Sequence, residues 1–238
     1  MKKFELTSEQ KVNWLDHKLY RIRACTDFIC STGAKVSAGD LGGWVEREQN
    51  LSPSGNAWIF DDAEAWQDAE VWGSAVLCGT ANVSGDAQVC GGAWVRDNAK
   101  VWGNALICDE SRVCDSAEVW GNAEIRSHAE ICGDAEICGD ALITSTDYML
   151  KVTPIGDSHT SLTAFRTKNY EICFAYRGKL YTTEEFNAYI QDWHKRIKRV
   201  AVASIELARL HIDCTDLAKN VVSNQVRATS AQQTHNFE

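Results

Sequence analysis

Small and aliphatic side chains alternate with polar and aromatic ones on a six-residue beat from Gly55 to Thr144. This stretch divides into 15 consecutive hexapeptides without insertion or deletion, from Gly55-Asn56-Ala57-Trp58-Ile59-Phe60 to Gly139-Asp140-Ala141-Leu142-Ile143-Thr144. The third position is Ala in 14 of them and Ser111 in the other, and the fifth is aliphatic throughout. Positions three and five are two residues apart, so in an extended segment they face one side while positions four and six face the other. Positions one and two are rich in Gly, Asn and Asp, the residues that tolerate the backbone of a tight corner. A strand and a corner every six residues wind the chain into a coil, and three flat sides make one turn of 18 residues. The pattern predicts five coils over 55–144, stacked at about 4.8 Å into a prism roughly 24 Å long with a parallel sheet on each side.

The flanks lack this beat. Residues 1–54 hold short candidate strands around Phe4–Leu6, Lys18–Ala24 and Trp44–Val45 and read as a β-rich cap over one open end of the solenoid. Residues 145–213 read as an α+β module with strands at Tyr148–Val152, Leu162–Thr167 and Glu171–Tyr176. A long helix follows, opened by a capping box at Thr182 and Glu185, with Phe186, Tyr189, Ile190, Trp193, Ile197, Val200, Ser204, Leu207 and His211 on one face. Residues 214–238, rich in Ser, Asn, Gln and Thr, have too little apolar content to be assigned a fold and read as a flexible tail.

At 45% apolar and 24% charged residues the chain has the composition of a soluble globular protein. No apolar run is long enough for a membrane span and no secretory leader is visible, so a cytoplasmic location is expected. The net charge is -9, and its distribution is uneven. The repeat carries 4 basic and 16 acidic residues, whereas 1–54 and 145–238 each carry a small basic excess. Direct nucleic-acid binding by such a rod is disfavoured.

The repeat resembles the left-handed parallel β-helix family, whose best-known members are acyltransferases. An aliphatic residue followed four positions later by a small one, as in Ile59 and Ala63 or Val83 and Ala87, carries that resemblance. The residue after the aliphatic departs from the enzymes, being Phe60, Trp66, Trp72, Cys78 or Arg96 here. A second resemblance covers nearly the whole chain. The stretch Gly39-Asp40-Leu41-Gly42-Gly43-Trp44-Val45-Glu46, then Asn50-Leu51-Ser52, the tandem Gly-Asn-Ala and Gly-Asp-Ala units, Leu162-Thr163-Ala164-Phe165-Arg166-Thr167-Lys168 and Glu184-Glu185-Phe186 are similar to a group of uncharacterised phage and prophage β-helix proteins. That resemblance implies a viral accessory protein, acting in the host cytoplasm if the chain is phage-encoded, with no activity attached.

Enzymes of the acyltransferase type use a His, in the β-helix or an inserted loop, as general base facing a cleft between subunits. The repeat offers one His, His128, at a corner otherwise held by Asn and Asp, and no inserted loop. A tolerated corner residue is the plainer reading, and acyl transfer from an acyl-CoA-type donor is the alternative function. One His cannot furnish a three-His metal site, and no cofactor or metal is expected. Cys78, Cys90, Cys108, Cys114, Cys132 and Cys138 all occupy position six. The 18-residue offset stacks Cys90 on Cys108 and Cys114 on Cys132. Such pairs could hold a soft metal or cross-link, but a reducing compartment favours free thiols serving as small hydrophobes.

The outward aromatics say more. Trp58, Phe60, Trp66, Trp72, Trp94, Trp102 and Trp120 occupy positions four and six, where alternation turns them away from the axis. Exposing them all invites association, so these faces are covered by the terminal modules, by a second copy of the chain, or by another protein. Trp102 and Trp120 stack one coil apart, with Glu118 and Glu136 as acidic neighbours. The run Lys195, Arg196, Lys198 and Arg199 is a basic patch open to an acidic partner, or simply a solvated helix face. The expectation is a non-catalytic protein that binds a host defence or nucleic-acid-handling protein through a rigid acidic and aromatic surface, and that self-associates as a dimer or trimer.

Overall fold

The structure, a computed structural model, describes residues 2–155 and 160–212. Its centre is a β-solenoid of about six turns. Each hexapeptide supplies a two-residue strand at positions four and five, and strands 18 residues apart pair in parallel, Asn82 with Lys100 and Lys100 with Glu118 on one face. The other two faces repeat the scheme, with Gln88 beside Leu106 and Trp94 beside Arg112. Inside, Val83, Val101 and Val119 form one fully buried column, with the position-three alanines filling the narrower space at the corners.

The corners explain the composition of position one. All fifteen residues there have positive φ, from 52° at Asp61 to 75° at Gly121. Nine are Gly, which adopts this conformation freely. Five of the other six are compensated by their side chains. Asp61, Gln67, Asp97, Asp109 and Asp115 each accept a hydrogen bond from the backbone N–H of the corner one coil on, at 2.8–3.3 Å.

The solenoid begins earlier than the repeat. Leu41–Val45 lies parallel to Glu64–Ala65, and Leu51 bridges to Val71, so the cap supplies most of a further coil before Gly55. Twenty residues separate Trp44 from Glu64 in that register rather than eighteen, which is why the six-residue beat does not reach it. Phe4–Val12 and Lys18–Ala24 form a hairpin that extends the same sheet antiparallel beyond Leu41–Val45.

The flanking modules close both ends of the stack. From coil to coil the position-four N–H donates to the position-three carbonyl one coil on, as Glu64 does to Ala81, so the first coil keeps carbonyls such as those of Ala57 and Gln67, and the last keeps N–H groups such as those of Glu130 and Glu136, for the flanking residues to meet. Donors close the first. Buried Lys3 reaches Ala57 O at 3.0 Å, and Asn50 Nδ2 bonds Gln67 O and Ala69 O at 2.9 Å each. Hydroxyl acceptors close the second, where Thr146 Oγ1 takes the Glu130 N–H at 3.0 Å and Thr163 Oγ1 that of Glu136 at 3.1 Å. An open strand edge would otherwise recruit another chain.

The C-terminal module is a four-stranded antiparallel sheet, Met149–Ile155, Thr160–Arg166, Ile172–Tyr176 and Lys179–Thr182. The fourth strand, absent from the sequence reading, follows a turn in which Arg177 and Gly178 both have positive φ. The capping box holds: Thr182 Oγ1 accepts from Glu185 N at 3.2 Å and Glu185 Oε2 from Thr182 N at 2.8 Å. The long helix does not. An α-helix over Thr183–Tyr189 and a short 3-10 turn end at Trp193, which is extended at ψ 148°, and a second helix covers 195–212. Trp193 packs within 5.3 Å of Tyr176 and 5.7 Å of Tyr189, ring centre to ring centre, and this holds the chain against the sheet at the break. The second helix lays Ala201, Ile205 and Ala208 over Leu162, Phe174 and Tyr176 of the small sheet, and Ile212 at its end joins the core cluster of the solenoid. The tail expected over 214–238 lies outside the described residues.

Candidate functional site

One outward column of the solenoid reads Trp66, Ser84, Trp102 and Trp120 from coil to coil, on the face that carries Asn82–Val83, Lys100–Val101 and Glu118–Val119. Ser84 is the interruption, and its small side chain leaves a notch between Trp66 and Trp102. Below the notch Trp102 and Trp120 stack with centroids 5.0 Å apart and planes 2° from parallel, a pairing worth about 0.5–1.5 kcal/mol beyond area burial. Above it the turn of the N-terminal hairpin forms a wall. Asn13 Oδ1 accepts from the backbone N–H of Leu15 and His17, each at 3.0 Å, and this tight turn presents Trp14 and Leu15 at the tip. The result is a groove of 340 Å³ lined by Trp14, Leu15, Trp66, Ser84, Trp102 and their neighbours. Trp14 is 76% exposed and Leu15 47%. At the mouth Lys100 Nζ and Glu118 Oε1 make an ion pair at 3.0 Å.

The structure sorts the expected surface residues into three groups. Trp102 and Glu118 line the groove, and Trp120 stacks on Trp102 beside it. Trp58 and Trp66 do not belong to a free surface, being 1% and 2% exposed. Phe28 meets Trp58 edge-on at 5.4 Å, while His17, Leu19 and Trp44 lie over Trp66, whose Nε1 donates to Asn82 Oδ1 at 3.1 Å. The N-terminal module therefore takes up the rings of the first coils. Phe60 and Trp94 are partly buried against the core, and the Arg112 guanidinium sits 5.3 Å from the Trp94 ring centre. Glu136 is also drawn away from the open surface. It accepts the Gly178 N–H at 2.9 Å beneath the C-terminal sheet, and burial pushes its carboxyl above the usual range. Trp72, 43% exposed, stays open on another face.

The basic run lies at the start of the second helix, with Lys195, Arg196 and Arg199 exposed. Lys198 is used internally, donating to Gln191 Oε1 at 2.7 Å and Gln191 O at 3.0 Å across the helix break. His128 sits on a corner with its side chain 81% exposed and Nδ1 3.4 Å from Glu110 Oε2. The pair borders an open trough of 710 Å³ floored by Gly73, Gly91 and Gly92. Among the described residues no helix is long and apolar enough to cross a membrane.

Sequence reasoning missed Trp14 and Leu15. The signal was present, since Asn13-Trp14-Leu15-Asp16 is a turn between two strands with large apolar residues at its tip, where polar ones are the rule. The fold and this groove define a β-solenoid with an aromatic notch. No protein-family model matches the chain, and no curated protein matches it.

Proposed function

We propose that this chain is a non-catalytic accessory protein of the phage or prophage β-helix kind, left-handed as its resemblance implies, that acts by binding another protein. The observation that carries the reading is the groove. Trp14, Leu15 and Trp102 offer apolar area on a rigid scaffold, with the Lys100–Glu118 pair as a polar rim, which is the anatomy of a protein-binding hot spot. Host defence and nucleic-acid-handling proteins are the partner classes that suit a viral accessory protein with an acidic rod, since regularly spaced carboxylates imitate phosphates.

Affinity capture from host lysate with the wild-type chain and with Trp102→Glu, Trp120→Glu in parallel tests this. A partner held by the first, lost from the second and rebinding when purified supports the reading. Equal retention by both overturns the groove's role. Sedimentation at micromolar concentration distinguishes a second copy as occupant, in which case the wild type is a dimer or trimer and the double variant a monomer.

The alternative, acyl transfer, draws on the His128–Glu110 pair, in which a carboxylate orients an imidazole. Against it, the imidazole is open to solvent with no wall to exclude water. Turnover of an acyl-CoA that disappears in His128→Ala would reverse the choice.

A further inference from the structure

The small-hydrophobe reading of the repeat cysteines fits Cys90, Cys108, Cys114 and Cys138, all buried, but not Cys132, which is exposed. Cys132 sits one coil below Cys114, in register, on the face where Arg112–Val113 pairs with Glu130–Ile131. The corner residue after Cys114 is Asp115. Its left-handed backbone, φ 57°, turns the carboxylate down toward the next coil, where Oδ2 accepts the Gly133 N–H at 2.8 Å. One ligand atom from each of Cys114, Cys132 and Asp115 thus falls within 4.8 Å of the others. Among the described residues this is the one place where three such side chains converge.

We propose that Cys114, Cys132 and Asp115 form a binding site for a zinc-class divalent cation, which would clamp two successive coils together. Two sulfurs and a carboxylate are a donor set for a borderline-soft, tetrahedral ion. Zinc–sulfur bonds of about 2.3 Å set tetrahedral ligands roughly 3.8 Å apart, so rotation of the exposed Cys132 side chain is enough to close the site. Glu130 Oε1 lies 3.9 Å from Cys114 Sγ, beside the three-residue cluster and not within it. Asp115 is already fixed by its hydrogen bond from Gly133, an outer contact of the kind that orients metal ligands. The stacked pair Cys90 and Cys108 has no third ligand of this kind and serves as the internal comparison.

The test uses the full chain, reduced and freed of metal, titrated with cadmium as a spectroscopic stand-in. The expected result is one tight equivalent with a thiolate-to-cadmium charge-transfer band that zinc displaces, together with a raised melting temperature. Cys132→Ser loses the band and the thermal shift, Asp115→Asn weakens binding but keeps the band, and Cys90→Ser leaves both unchanged. Cys132 is exposed, so its substitution leaves the core intact, and circular dichroism verifies the fold. Absence of the band in the wild type, its persistence in Cys132→Ser, or its loss in Cys90→Ser overturns the proposal.

Discussion

Replacing Gly103 at a solenoid corner by Ala separates two demands that the sequence pattern merges, left-handed backbone and close coil stacking. Gly103 has φ 72° and Gly178, in the C-terminal hairpin, has φ 71°, so an Ala at either suffers the same backbone penalty, about 1–2 kcal/mol. Their surroundings differ. A Cβ at Gly178 meets nothing within 4 Å, whereas one at Gly103 meets Gly121 N at 3.0 Å and Gly121 O at 3.1 Å. The coils cannot part freely there, because Asn104 N and Gly121 O are joined at 2.8 Å. Crowding of this kind adds about 1–3 kcal/mol, which gives roughly 2–5 kcal/mol for Gly103→Ala against 1–2 for Gly178→Ala. Gly103→Asp falls between the Ala variant and wild type. Its carboxylate can accept the Gly121 N–H as Asp61 accepts that of Gly79 at 3.0 Å, recovering about 0.5–1.5 kcal/mol. Urea unfolding followed by circular dichroism gives the three values. If Gly103→Ala is no more destabilising than Gly178→Ala, or Asp at 103 no better than Ala, the account of the corners is wrong.

Two further outcomes are expected. Val101→Asp places an unpaired carboxyl on the axis between Val83 and Val119 and removes a fully buried side chain, a loss of at least about 4 kcal/mol; Lys100→Gln, which gives up only a half-exposed ion pair with Glu118, should stay within about 1 kcal/mol, and equal urea midpoints for the two would contradict the inward and outward assignment. Burial raises the thiols of Cys90 and Cys114 to about 11 and of Cys138 to about 12 from an ordinary 9.0, so the folded state favours the protonated thiol: this contribution is complete below pH 9.0 and is lost as pH climbs toward 11–12. Lys3, lowered to about 8 by burial, acts oppositely between there and 10.5, and Cys138→Ala should flatten the alkaline loss in a pH series of urea midpoints, a slope unchanged by that substitution counting against it.

The solenoid was legible because its constraint is local and repeated. Ala57, Ile59 and their successors report the same environment fifteen times, and inward burial follows directly from alternation. The added coil before Gly55 was not legible, since Trp44 and Leu51 join the stack through a longer connection with no repeat to betray it. The helix break at Trp193 was hidden for another reason: Phe186, Trp193 and Val200 keep helical spacing, while the contacts made at the break, Trp193 on Tyr176 and Tyr189 and Lys198 on Gln191, are tertiary or span the break and leave no mark on that spacing.

The candidate groove illustrates where periodicity stops being informative. Alternation turns Trp58, Trp66, Trp102 and Trp120 outward alike, yet which of them remain available depends on how far the N-terminal hairpin reaches along the prism. It covers the rings of the first coils and ends with Trp14 beside the position where Ser84 breaks the aromatic column. A Trp at 84 would continue the column from Trp66 to Trp102 and fill the notch. The groove therefore arises from one small residue in a repeat and one apolar turn about seventy residues away, and the 340 Å³ between them belongs to neither pattern alone. Filling it by Ser84→Trp while leaving Trp102 and Trp120 in place separates notch from stack: loss of partner binding in that variant assigns recognition to the notch, and full binding assigns it to the stacked rings.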